Sequence, residues 1–254
     1  MKLSKLLFFL FIIMIPIQPF KINKMEIIIK AKLCRICYSK LTVFNISRNK
    51  MFNIYDNYIY INEKKTKSVC YIFYNNKTID VCFKGTSSIT DICFNINAYP
   101  KLFINNKIRL HNGFLLKYLA IKDEIISNLK EIIKKNDINE ISFNGYSAGG
   151  AIANIASLDM SYIFKNLNIK CITFGSPRVG NIHFIKTYNE KIVNSIRIIN
   201  KNDIIPLVPP PIIYRHIHEP LVIKNKKDNN HWTFNIYNYF KYTHSIMTYI
   251  KNLY

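Results

Sequence analysis

The amino-acid sequence predicts an α/β fold, a mostly parallel sheet with helices on its faces. Apolar, β-branched runs of strand length alternate with helix-periodic runs, and the pieces between them are short and turn-rich. Most of the seven glycines stand where a strand-like run ends. Strands alternating with helices imply parallel pairing through helical crossovers. With 254 residues and 49% hydrophobic content the chain can bury a full core. A single domain over residues 23–254 is expected, because neither a repeat nor a linker divides it.

The elements follow in order. Residues 1–20 read MKLSKLLFFLFIIMIPIQPF. Lys2 and Lys5 precede an apolar run at 6–17, too short for a comfortable membrane span and patterned as a signal peptide. Residues 1–22 are therefore assigned to export into a secreted or luminal setting. Pro16, Gln18, Pro19 and Phe20 offer no small residues at the usual cleavage spacing, which leaves an uncleaved N-terminal anchor open. Residues 23–65 are polar and mixed, with helical possibilities. VCYIFY at 69–74 and IDVCF at 79–83 read as adjacent strands across the turn-prone NNKT. From 114 to 133, Leu115, Leu116, Leu119, Ile121, Ile125, Ile126, Leu129, Ile132 and Ile133 recur at helical spacing with charges between them. INEISFNG follows as a strand, a second helix runs from 148 to about 164, and NIKCITF at 168–174 and IVNSIRII at 192–199 are further strands. IIPLVPPP is a proline-stiffened loop, YRHIHEPLVI alternates like a strand, and YTHSIMTYI opens a terminal helix.

A net charge of +21 and a pI near 9.7 raise the question of nucleic acid. The lysines are spread along the whole chain without a binding motif, so no nucleic-acid partner is expected. A basic exterior instead favours adsorption to anionic membrane or micelle surfaces. The chain is expected to be a monomer. The six cysteines, Cys34, Cys37, Cys70, Cys82, Cys93 and Cys171, fit an oxidising compartment, but six allow 15 pairings and spacing does not choose among them. Cys82 and Cys171 lie in strand-like runs and read as buried thiols. Cys34-Arg-Ile-Cys37 has the spacing of a redox or zinc pair. No second pair accompanies it, so neither metal nor cofactor is expected. Asn45-Ile-Ser47 and Asn76-Lys-Thr78 are glycosylation acceptors if the chain is exported.

The glycines point to the chemistry. A chain of this length ordinarily carries roughly 18, yet three of the seven here fall within GYSAGG, residues 145–150. A G-x-S-x-G between a strand and a helix is a nucleophile elbow, a strained turn that lifts the serine hydroxyl out of the sheet. Side chains at Gly145 and Gly149 would collide across that turn. Ser147 is then the candidate nucleophile, and Ala151, Ala153 and Ala156 give the next helix a small face for close packing.

A serine hydroxyl needs a base, and the base needs an orienting acid. Asp159 lies about three turns along the helix that starts at the serine, too far to serve. Asp228 sits in the charged loop KNKKDNN. Asp203, just beyond IVNSIRII, is where a strand-end acid should stand. Among His216, His218, His231 and His244, the first two are expected to be structural, His231 borders a polar turn, and His244 is the candidate base. The oxyanion donors are assigned to the backbone N–H of Ala148, at a helix N-terminus, and to Thr86 in FKGTSS, where Gly85 lets the backbone turn.

Taken together, these segments resemble the class 3 lipases, fungal-type triacylglycerol lipases with the α/β-hydrolase fold. FKGTSS is similar to that family's F-R-G-[ST]-x-S, HNGF to H-x-G-F, GYSAGG to G-H-S-L-G-G and TFGSPRVGN to T-F-G-x-P-R-V-G-N. NKNDIIPLVPP is similar to N-x-x-D-x-V-P-x-x-P-P, and HSIMTY to a closing H-S-x-x-x-Y. The resemblance runs from about Val69 to Tyr249. It implies Ser147 as nucleophile, Asp203 as orienting acid, His244 as base, and Thr86 with Ala148 as oxyanion donors. It also implies acyl-enzyme hydrolysis of a lipid ester at a membrane or micelle surface: a triacylglycerol, a phospholipid acyl chain or a soluble ester. Tyr146 and Lys84 stand where the family often has His and Arg, and neither is expected to move a proton. The segment ITDICFNINAYPKLFINNKIRL corresponds to the family's lid region without a distinct pattern. A catalytically silent lipid-binding or interaction protein on the same fold is the alternative.

Overall fold

A computed structural model describes residues 23–38, 54–85, 99–224 and 242–254. The leader, Asn45, Thr86, Cys93, Asp228 and His231 lie outside the described residues.

The strands are β1 (Asn57–Glu63), β2 (Ser68–Tyr74), β3 (Thr78–Phe83), β4 (Pro100–Phe103), β5 (Asn105–His111), β6 (Glu140–Tyr146), β7 (Asn168–Phe174), β8 (Asn194–Asn200) and β9 (Pro220–Ile223). The helices are α1 (Lys24–Ile36), α2 (Asn112–Lys135), α3 (Ala148–Ile163), α4 (Ile182–Lys191) and α5 (Ile246–Leu253). Seven strands form one sheet in the order β1-β2-β3-β6-β7-β8-β9. β1, β2 and β3 pair antiparallel, and from β3 to β9 every pairing is parallel. The α/β-hydrolase expectation holds: a mostly parallel sheet with helices packed on both faces.

The period of two along each strand divides the core between the faces. Val81, Phe83, Ile141, Phe143, Ile169 and Cys171 point to one side, against α2 and α3. Ile172, Phe174 and Ile198 point to the other, where Ile28 and Ala31 of α1 and Tyr249 and Ile250 of α5 cover them. Helix α3 is buried from Ala148 to Met160. Its alanines let it lie close on β3, β6 and β7, as the small-residue face required.

Residues 23–65, expected to be polar and mixed, hold both α1 and the strand β1. The Asn23 side chain caps α1 by accepting the Met25 N–H at 2.9 Å. β1 buries only Ile61 fully, so its strand character comes from pairing with β2 rather than from an apolar pattern. Residues 99–110 are the described part of the segment likened to a lid, and the β4–β5 hairpin spans 100–111. β5 is pinned to the chain at 179–181: His111 N–H reaches the Val179 carbonyl at 2.8 Å, and Asn181 N–H the Arg109 carbonyl at 2.9 Å. α4 was not expected, and Asn181 caps it through the Phe184 N–H at 3.1 Å. Within YRHIHEPLVI only Pro220–Ile223 forms a strand. His216 and His218 precede it and bond to the carbonyls of Pro206 and Ile192 at 2.5 and 3.0 Å.

Cys34, Cys37, Cys70, Cys82 and Cys171 are buried free thiols. Cys34 and Cys37 pack in the cores beside α1, and the Cys37 thiol donates toward the Leu33 and Cys82 carbonyls at 3.6 and 3.5 Å. Asn76 is exposed in the turn between β2 and β3.

Candidate active site

The site assembles where the parallel strands end. β6 delivers Ser147 into a turn with φ 61° and ψ −134°, a left-handed conformation that an L-residue rarely adopts. The turn is closed by the Ser147 N–H, which donates to the Phe174 carbonyl at 2.9 Å, and by the Gly150 N–H, which donates to the Ser147 carbonyl at 2.9 Å. A side chain at Gly145 would run into the backbone of Gly149, and one at Gly149 into the carbonyl of Phe83. The glycines are therefore required by close backbone approach, at the point where α3 leaves the elbow.

Ala148 is the first residue of α3, so its N–H belongs to the first turn, where no carbonyl lies one turn behind. The end of β3 lies beside it, since an added Cβ on Gly149 would stand 2.9 Å from the Gly85 nitrogen. Thr86, the other assigned donor, follows Gly85 and lies outside the described residues.

Asp203 leaves the end of β8 through a turn in which its N–H donates to the Asn200 carbonyl at 3.1 Å. Its Oδ1 accepts the Ile205 N–H at 2.9 Å. Its Oδ2 accepts the Tyr249 hydroxyl at 2.6 Å and faces Nδ1 of His244 at 2.7 Å. A carboxylate oxygen only accepts, so the proton sits on Nδ1 and Nε2 of His244 is the acceptor. Nε2 lies 2.8 Å from Ser147 Oγ. Ser147, His244 and Asp203 are all buried, and the structure brings the three together in one unbroken hydrogen-bonded chain. Such a chain can take a proton from the serine as its oxygen bonds to an electrophile. The acid side keeps the imidazole in the required tautomer.

Two tyrosines hold this chain in ways the sequence reading missed. Tyr249, on α5, accepts the Asn200 N–H at 3.0 Å while donating to Asp203. Burial, reinforced by the Asp203 charge, pushes its hydroxyl well above the usual range, so it remains a donor. It is the closing tyrosine of HSIMTY, and its place in that motif was the available signal. Tyr146, the variable residue of the elbow, donates its hydroxyl to the His244 carbonyl and packs its ring against the imidazole at 4.9 Å between centroids. Burial raises its hydroxyl too, with the Asp203 charge adding to the effect. Asn200 extends the support, its side-chain amide donating to the Thr243 carbonyl at 2.9 Å. Arg178, of the TFGSPRVGN segment, donates to the Leu207 and Pro209 carbonyls, which fastens the loop that follows Asp203. Among the described residues no group of His, Cys, Asp and Glu side chains is gathered to hold a metal ion.

The comparisons with known proteins meet this geometry. The profile of the family described as Lipase (class 3) matches residues 81–212, which take in the elbow, Asp203 and the end of β3. The lipase of Rhizopus niveus is 33% identical over 141 residues, 53% of this chain and 35% of that protein. A secreted mono- and diacylglycerol lipase of Malassezia globosa is 31% identical over 116 residues, 45% of this chain and 38% of that protein. The matches thus span little more than a third of the length of these curated relatives. The solved Rhizomucor miehei triacylglyceride lipase overlies 88% of this chain and 91% of its own with a TM-score of 0.70 and 20% identity, a likeness of fold. Because the family profile covers just over half of its residues, the chain belongs to the class 3 lipases.

Proposed function

We propose that the protein is a serine carboxylic-ester hydrolase that cleaves acyl esters of lipids through an acyl-enzyme. The observation that carries the reading is the continuous chain from Ser147 Oγ through His244 to Asp203, at 2.8 and 2.7 Å. In this reading Oγ attacks the ester carbonyl carbon while Nε2 of His244 takes the hydroxyl proton, and Asp203 stabilises the imidazolium. The N–H of Ala148 and Thr86 hold the oxyanion. Collapse of the tetrahedral intermediate expels the alcohol, which receives its proton from His244. Water, activated by the same imidazole, then releases the fatty acid and restores Ser147.

Acylglycerols are the favoured substrate class, because the Rhizopus niveus and Malassezia globosa relatives are named a lipase and a mono- and diacylglycerol lipase. The net charge of +21 supports action at an anionic lipid surface. The leader with Lys2, Lys5 and the apolar run at 6–17 supports export. The test is hydrolysis of short- and long-chain nitrophenyl esters and of acylglycerol emulsions by the wild-type protein and by Ser147→Ala. A loss of at least about 10⁴-fold in kcat is expected for the variant. Equal rates for the two proteins would sink the reading.

A further inference from the structure

Tyr38 follows the end of α1, and its hydroxyl bonds not to Ser147, His244 or Asp203 but to the two backbone segments that lead into the site. The hydroxyl accepts the Gly85 N–H at 2.8 Å and donates to the Tyr146 carbonyl at 3.1 Å. Its ring meets the Tyr146 ring edge-on, with centroids 5.4 Å apart at 64°. Burial pushes the phenol well above its usual range, so it keeps the proton it donates.

The ladder between β3 and β6 explains why this position matters. The parallel pairing ends at Phe83 and Gly145. Beyond it the elbow leaves the ladder, because Ser147 turns away into α3. The next donor, Gly85 N–H, and acceptor, the Tyr146 carbonyl, are joined through the Tyr38 hydroxyl, which accepts from one and donates to the other. The seat has no spare room. A Cβ on Gly85 would meet the Tyr38 hydroxyl, and would come within 2.8 Å of both the Gly149 nitrogen and the Tyr146 carbonyl.

We infer that Tyr38 is a positioning residue for ester hydrolysis: by bridging Gly85 to Tyr146, it fixes the separation between the end of β3 at Gly85 and the elbow at Ser147. This rests on the proposed function. The Gly85 N–H is committed to the phenol, and in the proposed mechanism the amides that meet a developing oxyanion are those of Thr86 and Ala148, on the two segments that the bridge joins. Donors aimed at a transition-state charge act only when held in place beforehand, and a shift of a fraction of an ångström weakens them. The ground-state ester makes little use of these donors, so the effect belongs in kcat rather than KM.

Tyr38→Phe keeps the ring and its contact with Tyr146 while removing only the bridge. On a soluble short-chain ester, kcat is expected to fall about 10- to 100-fold with KM changed less than about twofold, and affinity for a trifluoromethyl ketone to fall in parallel with kcat/KM. Thr86→Ala, combined with Tyr38→Phe, should lose less than the product of the two single losses, because both act on one group of donors. Unchanged kcat, a loss confined to KM, or strictly multiplicative losses would overturn the inference, as would a Tyr38→Phe chain that fails to fold, since the bridge would then be a structural clamp. A wild-type protein without turnover defeats the functional reading as well. Turnover in the wild type, with full kcat in Tyr38→Phe, defeats this inference alone.

Discussion

Ser147 carries a φ of 61°, which costs a side-chain-bearing residue on the order of 1–3 kcal/mol. The strain persists because its flanks over-determine it: the Ser147 N–H is held by Phe174, its carbonyl by Gly150, and Gly145 and Gly149 admit the close approach of the turns. Asp203 is held with similar redundancy, by Ile205 N–H, the Tyr249 hydroxyl and His244. Tyr249→Phe removes one acceptor for the Asn200 N–H and one donor to Asp203. A buried carboxylate and a buried amide each lose a partner, so stability should fall by about 1–3 kcal/mol and kcat by about tenfold. Thermal unfolding and ester kinetics on the same preparation check both, and a variant unchanged in each would show that Tyr249 merely fills space. Ser147, Asp203 and His244 could be singled out in the sequence because each lies in a segment whose neighbours are themselves distinctive. Tyr38 and Tyr146 could not be assigned their roles. A phenol among 17 tyrosines has no local signature of what its hydroxyl will meet.

Elements were readable in proportion to how much of them is buried. β2, β3, β6 and β7 are buried on both faces over most of their lengths and appear in the sequence as apolar runs. β1 is an edge strand, and β4 and β5 form a two-stranded hairpin outside the main sheet, so their residues alternate weakly or not at all. α4 buries only Phe184, Ile185 and Tyr188, too few for its period to stand out. The docking of α1 on the sheet was also partly hidden, because a buried ion pair sits within its apolar face. Lys30 Nζ lies 2.7 Å from Asp80 Oδ1, and Asp80 also accepts from Asn144 at 2.8 Å and from the Tyr55 hydroxyl at 2.5 Å. Burial alone would lower the pKa of Lys30, but the Asp80 carboxylate outweighs it and the net shift is upward. Lys30→Met strands the Asp80 charge in the core and should cost about 3–5 kcal/mol, whereas pairing it with Asp80→Asn should recover part of that loss. Denaturant midpoints for the single and double variants decide the matter. If the double variant were no more stable than the single, charge burial would not be the cause.

At the scale of the whole molecule, stability is tied to acid through two imidazoles, one buried and one half-buried. Burial pushes His111 down to about 4, and it pushes His216 to about 4 with the Arg197 charge adding to the effect. Both fold as neutral rings, while in the unfolded chain they take up protons below about pH 6.5. Between those values the unfolded state binds more protons, so stability is full above about pH 6.5 and declines progressively toward pH 4. Each pH unit of that window is worth about 1.4 kcal/mol per group, which for His111 approaches about 3 kcal/mol at the acid end. His111 stacks on Phe114 at 4.2 Å, and its Nδ1 has no hydrogen-bond partner among the described residues, so His111→Phe should flatten the fall in Tm between pH 7 and 4.5 without a large loss at pH 7. An equally steep fall in the variant would assign the acid sensitivity elsewhere.

The sequence by itself determined the central strands β2, β3, β6, β7 and β8, the helices α2, α3 and α5, the elbow at Ser147 and the partners Asp203 and His244, because these depend on local periodicity and on short segments whose backbone geometry only certain residues permit. The tertiary structure alone decided that β1 joins the sheet as its edge, that Lys30 reaches Asp80, and that three tyrosines from different segments converge on the backbone and side chains of the site. Those outcomes depend on which distant surfaces meet once the helices close over the sheet. A hydroxyl or an ammonium is defined by the partner it finds there, and the residues beside it in the chain carry no record of that partner.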